Sequence, residues 1–147
     1  RKTYLQGHYT RDTGTMQVSR VWAMPNKNTF DVKPIGEIVK RYLQNSRVSV
    51  DPFARDKTWA TYTNDLNPQT SAAYHLDALD FLDLLLKQGV RADLVLFDPP
   101  YSPRQVKECY DGVGLKMGRE GAWRTASWRQ ERDLIDSLLT PGGIVIC

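Results

Sequence analysis

The stretch Leu94-Val-Leu-Phe97, flanked by polar residues and running directly into Asp98-Pro99-Pro100-Tyr101, constrains this chain more than any other feature. Four apolar residues that do not alternate predict a strand buried on both faces, which requires helices above and below a mainly parallel sheet. Asp98 then stands at the carboxyl end of the strand. Pro99 and Pro100 lack an N–H and fix φ, so the strand must stop in a stiff, extended turn.

The remaining pattern fits that frame. Pro34 opens a helix whose apolar positions Ile35, Ile38, Val39, Tyr42 and Leu43 follow helical spacing. Val48-Ser-Val50 predicts a strand ending at Asp51-Pro52, residues 61–63 one ending at Asn64-Asp65, and residues 73–76 one ending at Asp77. A helix is expected over 78–87, closed by Gly89, and another over 127–139 that buries Trp128, Leu134, Ile135, Leu138 and Leu139. Between them the glycine-rich stretch 101–124 predicts a mobile loop. The TPGG sequence then turns the chain into a last strand at 144–147. In residues 1–30, Gly14 after Asp12-Thr13 marks a turn, and QVSRVWAM alternates as a strand or hairpin. The expected organisation is an N-terminal hairpin or extension, 1–30, followed by an α/β core, 31–147.

Four strands thus end in aspartate: Asp51, Asp65, Asp77 and Asp98. Open α/β sheets bind ligands outside the carboxyl ends of their strands, which places these carboxylates around one crevice. Asp51 and Asp77 also have the context of helix N-caps.

Composition sets the outer bounds. At 147 residues, 41% hydrophobic and 25% charged, the chain can bury one core. No apolar run approaches the roughly 18 residues that span a bilayer, and the basic start lacks the apolar core of a signal peptide. No membrane association and a cytoplasmic location are therefore expected. Cys109, Cys147, His8 and His75 have no metal-ligand spacing, so no metal site is expected. The start at Arg1 and the stop inside an apolar run at Cys147 read as a fragment. Of the net charge of +3, all lies between Arg104 and Arg132, where seven basic residues face four acidic ones. Such an excess fits either a phosphate-contacting surface or a solvated helix face.

From Lys33 to Cys147 these motifs resemble the S-adenosylmethionine-dependent amino-methyltransferases with a DPPY motif, in particular the DNA adenine-N6 methyltransferases of bacteria and phages. VSVDPFARD is similar to the cofactor motif, NDLNP to the acidic end of the second strand, YHLDALDFL to the third, and LFDPPYS to the catalytic motif. The resemblance implies a Rossmann-like methyltransferase sheet, here stopping after the fifth strand, and methyl transfer to the exocyclic amino group of adenine. In that scheme Asp98 and the Pro99 carbonyl accept the two amino hydrogens, Pro100 stiffens the turn, and Tyr101 stacks on the base. S-Adenosylmethionine is assigned Lys33 and Pro34 at its methionine end, Asp51, Pro52 and Phe53 beside it, Asp65 at the ribose, and Asp77 with the Ala78 amide at the adenine. The partner is double-stranded DNA with a flipped adenine, contacted through Arg104, Lys116, Arg119 and Arg124. An RNA base amino-methyltransferase and a non-catalytic nucleic-acid-binding module remain alternatives. One departure stands out: where the family has glycines after DPF, this chain has Ala54-Arg55-Asp56-Lys57. Arginine and lysine tolerate glycine's left-handed backbone poorly.

Overall fold

The computed structural model describes the backbone of residues 6–10 and 19–21, and residues 29–147 apart from the side chains of Arg124 and Ala126. Twelve elements follow one another: β1 (Gln6–Thr10), β2 (Ser19–Val21), a 3-10 turn (Thr29–Asp31), α1 (Ile35–Asn45), β3 (Ser49–Asp51), β4 (Tyr62–Thr63), α2 (Ala78–Lys87), β5 (Ala92–Leu96), α3 (Pro103–Gly112), α4 (Arg119–Ser127), α5 (Arg129–Leu138) and β6 (Leu139–Ile146). They form a six-stranded sheet in the order β2-β1-β6-β5-β3-β4. The four strands from β6 to β4 are parallel, whereas β1 pairs antiparallel with both β2 and β6.

The central strand β5 is covered on both sides, as its unbroken apolar run requires. Leu94 and Leu96 point to a cluster with Phe30, Ile35, Val39 and Ile146 under α1. Val95 and Phe97 point the other way, into a cluster with Phe81, Leu82 and Leu85 of α2 and Ile135 and Leu138 of α5. Each fully buried side chain of this kind stabilises the fold by about 1.5–3 kcal/mol. Gly36 lets α1 meet the 3-10 turn, because a Cβ there would lie 2.8 Å from the Phe30 carbonyl oxygen.

Several expectations are corrected. The stretch 101–124 is largely helical rather than a loop: Ser102 and Gln105 form a capping box, with Pro103 at the first helical position, and start α3. Glycine content outweighed those caps in the sequence. Residues 73–76 form no strand; a single bridge, Tyr74 to Asn64, represents the third strand. The TPGG residues do not precede β6 but bulge within it, since Ala92 pairs with Leu139 and Leu94 with Ile144. No helix follows Asp51, so it caps none. The sheet does not stop at β6 either, because β1 runs along that edge with His8 opposite Ile146. The expected Asp12–Gly14 turn lies outside the described residues.

Candidate active site

Because β3 and β5 are parallel neighbours, with Val50 opposite Val95, their carboxyl ends emerge side by side and deliver Asp51 and Asp98 to one place. A cavity of about 240 Å³ opens there, lined by Thr29, Phe30, Asp51, Phe53, Ala54, Arg55, Asp56, Lys57 and Asp98. Asp51 is 3% exposed. Its Oδ1 accepts the Phe53 amide at 3.1 Å, an Asx turn that bends the chain after the strand. Burial pushes its carboxyl up to about 7, with the negative charges of Asp98 and Asp65 adding to the rise and the Phe53 amide and Arg55 opposing it. Asp98 is raised by burial too, and held down by the Thr29 hydroxyl and Arg55. That hydroxyl donates to Asp98 Oδ1 at 3.1 Å.

The turn after Asp98 is clamped from several directions. The Trp128 indole N–H donates to the Pro100 carbonyl at 3.0 Å. The Tyr101 and Ser102 amides donate to Gln105 Oε1 at 3.1 and 3.2 Å. Among the described residues no donor reaches the Pro99 carbonyl. Phe53, Phe97 and Trp128 pack edge to face beneath, with ring centroids 5.1 to 6.4 Å apart. Tyr101 is 54% exposed, with its hydroxyl donating to the Phe97 carbonyl at 3.4 Å.

The loop after Asp51 takes up the glycine-like conformation without a glycine: Arg55 has φ +54°. Non-glycine residues in that region cost about 1–2 kcal/mol and gather at functional sites. Neighbouring bonds hold it there, from the Arg55 amide to Asp65 Oδ2 at 3.1 Å and from the Ala54 amide to the Asn64 carbonyl at 2.8 Å. Lys57 turns to pair with Asp31 and lies 4.4 Å over the Trp59 ring. Asn64, 1% exposed, stitches the strand ends together, donating to the Pro52 and Leu76 carbonyls and accepting the Leu76 amide.

The four strand-end aspartates therefore do not share one crevice. Asp51 and Asp98 line the cavity; Asp65 and Asp77 do not. Asp65 accepts backbone amides on both oxygens, from Arg55 and, at 2.8 Å, from Asn67. Asp77 caps α2 through the Leu79 amide at 3.0 Å, and its other oxygen accepts the Tyr110 hydroxyl. Of the other expected cofactor residues, Phe53 lines the cavity, while Pro52 and Ala78 are buried beside it or at the head of α2 and Lys33 and Pro34 are exposed. From that segment it is Thr29 and Phe30 that face the cavity. Among the expected phosphate contacts, Arg104 is paired with Glu108 at 2.7 Å, Lys116 and Arg119 are exposed, and the Arg124 side chain lies outside the described residues.

Thr29, Asn64, Tyr110 and the indole of Trp128 escaped the sequence-based expectation for the site. Only Asn64 carried a signal, as a polar residue next to Asp65 at a strand end. Among the described residues no group of three or more histidine, cysteine or acidic side chains could hold a metal ion, and no helix is long and apolar enough to cross a membrane. Comparison with protein-family models, with curated proteins and with solved structures found no match.

Proposed function

We propose that this protein transfers a methyl group from S-adenosylmethionine to the exocyclic amino group of adenine in DNA, on a Rossmann-like methyltransferase sheet. The observation that carries this reading is the pairing of two carboxyls whose proton affinity burial raises, Asp51 and Asp98, in one small cavity beside a rigid turn whose Pro99 carbonyl has no donor among the described residues. Two acids lining one cavity, Asp51 buried and Asp98 partly so, favour a cationic ligand, since a positive charge beside them offsets both the burial cost and their mutual repulsion. A sulfonium or ammonium group has that charge. The cavity volume suits the reacting part of such a cofactor rather than the whole of it.

Bound at this site, the cofactor supplies an electrophilic methyl on a sulfonium. Asp51 would hold its positive charge, with Phe53 and Phe30 packed against its apolar parts and Arg55 and Lys57 at the rim for its carboxylate. Asp65 keeps a second lone pair on each oxygen for ribose hydroxyls. Asp77 reaches an adenine ring only if Tyr110 gives way, so its part in cofactor binding is the weakest of the set.

The amine of adenine is a poor nucleophile because its lone pair is delocalised into the ring. Asp98 accepting one N–H and the Pro99 carbonyl accepting the other let the nitrogen become pyramidal and aim that lone pair at the methyl, so that the N–C bond would form as the sulfonium C–S bond breaks to a neutral thioether and one amino proton passes to Asp98 and on to solvent. The clamp described above keeps both acceptors in place: Thr29 fixes the Asp98 carboxylate and Trp128 fixes the Pro100 peptide. The exposed Tyr101 ring offers a face for the flipped base.

The test is calorimetry with S-adenosylmethionine, followed by transfer of tritiated methyl to adenine-containing duplex DNA, adenine-free duplex DNA and RNA. Cofactor binding with transfer confined to adenine-containing DNA is the expected result. Transfer to RNA alone moves the substrate class, and absence of cofactor binding overturns the reading.

A further inference from the structure

The four cations between Tyr101 and Glu120 fall into two sets. Those of α3 are neutralised along their own helix, Arg104 by Glu108 and Lys107 by Asp111. Lys116 and Arg119 have no acidic partner among the described residues. On α4, Arg119 and Trp123 are four residues apart and so share one face, with Glu120 about 100° from Arg119 and about 60° from Trp123 at its edge. Trp123 is 62% exposed and Leu115, in the turn before α4, is 49% exposed. The opposite side of α4 is packed, with Ala122 buried and Gly121 against Met117. An aromatic ring and one unneutralised cation therefore share a helix whose other face is anchored, and a second cation, Lys116, lies in the turn that leads into it.

That helix is tied to the site. It ends at Trp128, whose indole holds the Pro100 carbonyl at 3.0 Å. Five residues of helix place Trp123 about 7.5 Å along the axis from that anchor.

We propose that α4 is a second nucleic-acid contact, in which Trp123 stacks on a base left unpaired beside the flipped adenine while Lys116 and Arg119 meet phosphates of the same strand. The inference rests on the methyltransferase reading above and names the surface that holds its opened DNA. Charge favours this occupant: the surface carries two cations, Lys116 and Arg119, against one acid, Glu120, so a second copy docking here about a two-fold axis sets a net positive patch against its own image, whereas a polyanion with stacking bases satisfies the cations and the ring together.

The experiment measures binding of a fluorescently labelled duplex with one bulged adenine as a function of salt, for wild type, W123A, W123F and K116A/R119A. Cofactor calorimetry and sedimentation of each variant run alongside. W123A is expected to weaken binding about 5- to 100-fold, as for loss of one base–aromatic stack, without changing the salt slope, and W123F to recover most of it. K116A/R119A is expected to flatten the slope by about 1–2. Wild-type duplex affinity in W123A, or a change in its sedimentation alone, overturns the inference while methyl transfer by the wild type leaves the function standing. A wild type that neither binds nor methylates DNA removes both, and preferential binding of RNA by the wild type overturns this one as well.

Discussion

Asp51 and Asp98 differ from Asp65 and Asp77 in what their oxygens meet. The outer pair is satisfied by the protein itself: Asp65 by two backbone amides, Asp77 by an amide and the Tyr110 hydroxyl. The inner pair faces the cavity, and Asp51 is almost fully enclosed. Asp51 has one amide, Asp98 has the Thr29 hydroxyl with the Thr29 backbone also favouring its charged form, and burial raises both. A carboxylate with its donors in place is a structural element. One buried with too few donors is poised for a ligand that completes it.

The sharpest way to break this contrast is at Asp98. Asp98→Ala is expected to lower methyl transfer by at least about 10²–10³-fold, the usual effect of losing one transition-state hydrogen-bonding group, while cofactor affinity stays within a few-fold. Single-turnover transfer with saturating DNA measures it, and near-normal turnover would return Asp98 to a structural role.

Asp51 sharpens the contrast through pH. Its folded carboxyl lies at about 7 against an ordinary 3.8, so the folded state holds the proton that the unfolded chain has released. Stability contributed by this group is therefore present below about pH 4 and lost as pH rises toward 7, by up to about 4 kcal/mol. Urea midpoints of Asp51→Asn should lack that part of the pH dependence and exceed wild type above pH 7; parallel profiles would mean that the acid is ionised throughout.

On the outer side effects are smaller. Tyr110→Phe removes one donor from Asp77 and is expected to cost about 1 kcal/mol of stability with cofactor affinity unchanged. Tighter cofactor binding in that variant would show that Asp77 joins the ligand site once released. Smallest of all is Arg55→Gly, which relieves the left-handed backbone but loosens the unfolded chain; thermal melting should show a gain between zero and about 1 kcal/mol.

Much of the framework was legible in residue order. The apolar spacing of α1, the apolar run of β5 and the boundaries of α2 follow from local periodicity and from Asp77 and Gly89 at the helix ends. Local signals failed where two of them competed. Gly112, Gly114, Gly118 and Gly121 suggested a loop, while Ser102, Pro103 and Gln105 were already specifying the start of α3. Residues 73–76 had strand composition, but Tyr74 makes only one bridge to Asn64.

The sequence by itself determined the parallel sheet with helices on both faces and an aspartate at the end of its central strand, because hydrophobic periodicity, caps and proline act within a few residues. Which aspartates became satisfied by the protein and which came to line the cavity was decided only by the tertiary structure. The contacts responsible, Trp128 to Pro100, Tyr110 to Asp77 and Thr29 to Asp98, join residues 28, 33 and 69 positions apart. Burial and donor count are properties of the neighbours that packing brings in, and four aspartates alike in sequence context diverge once each meets a different set.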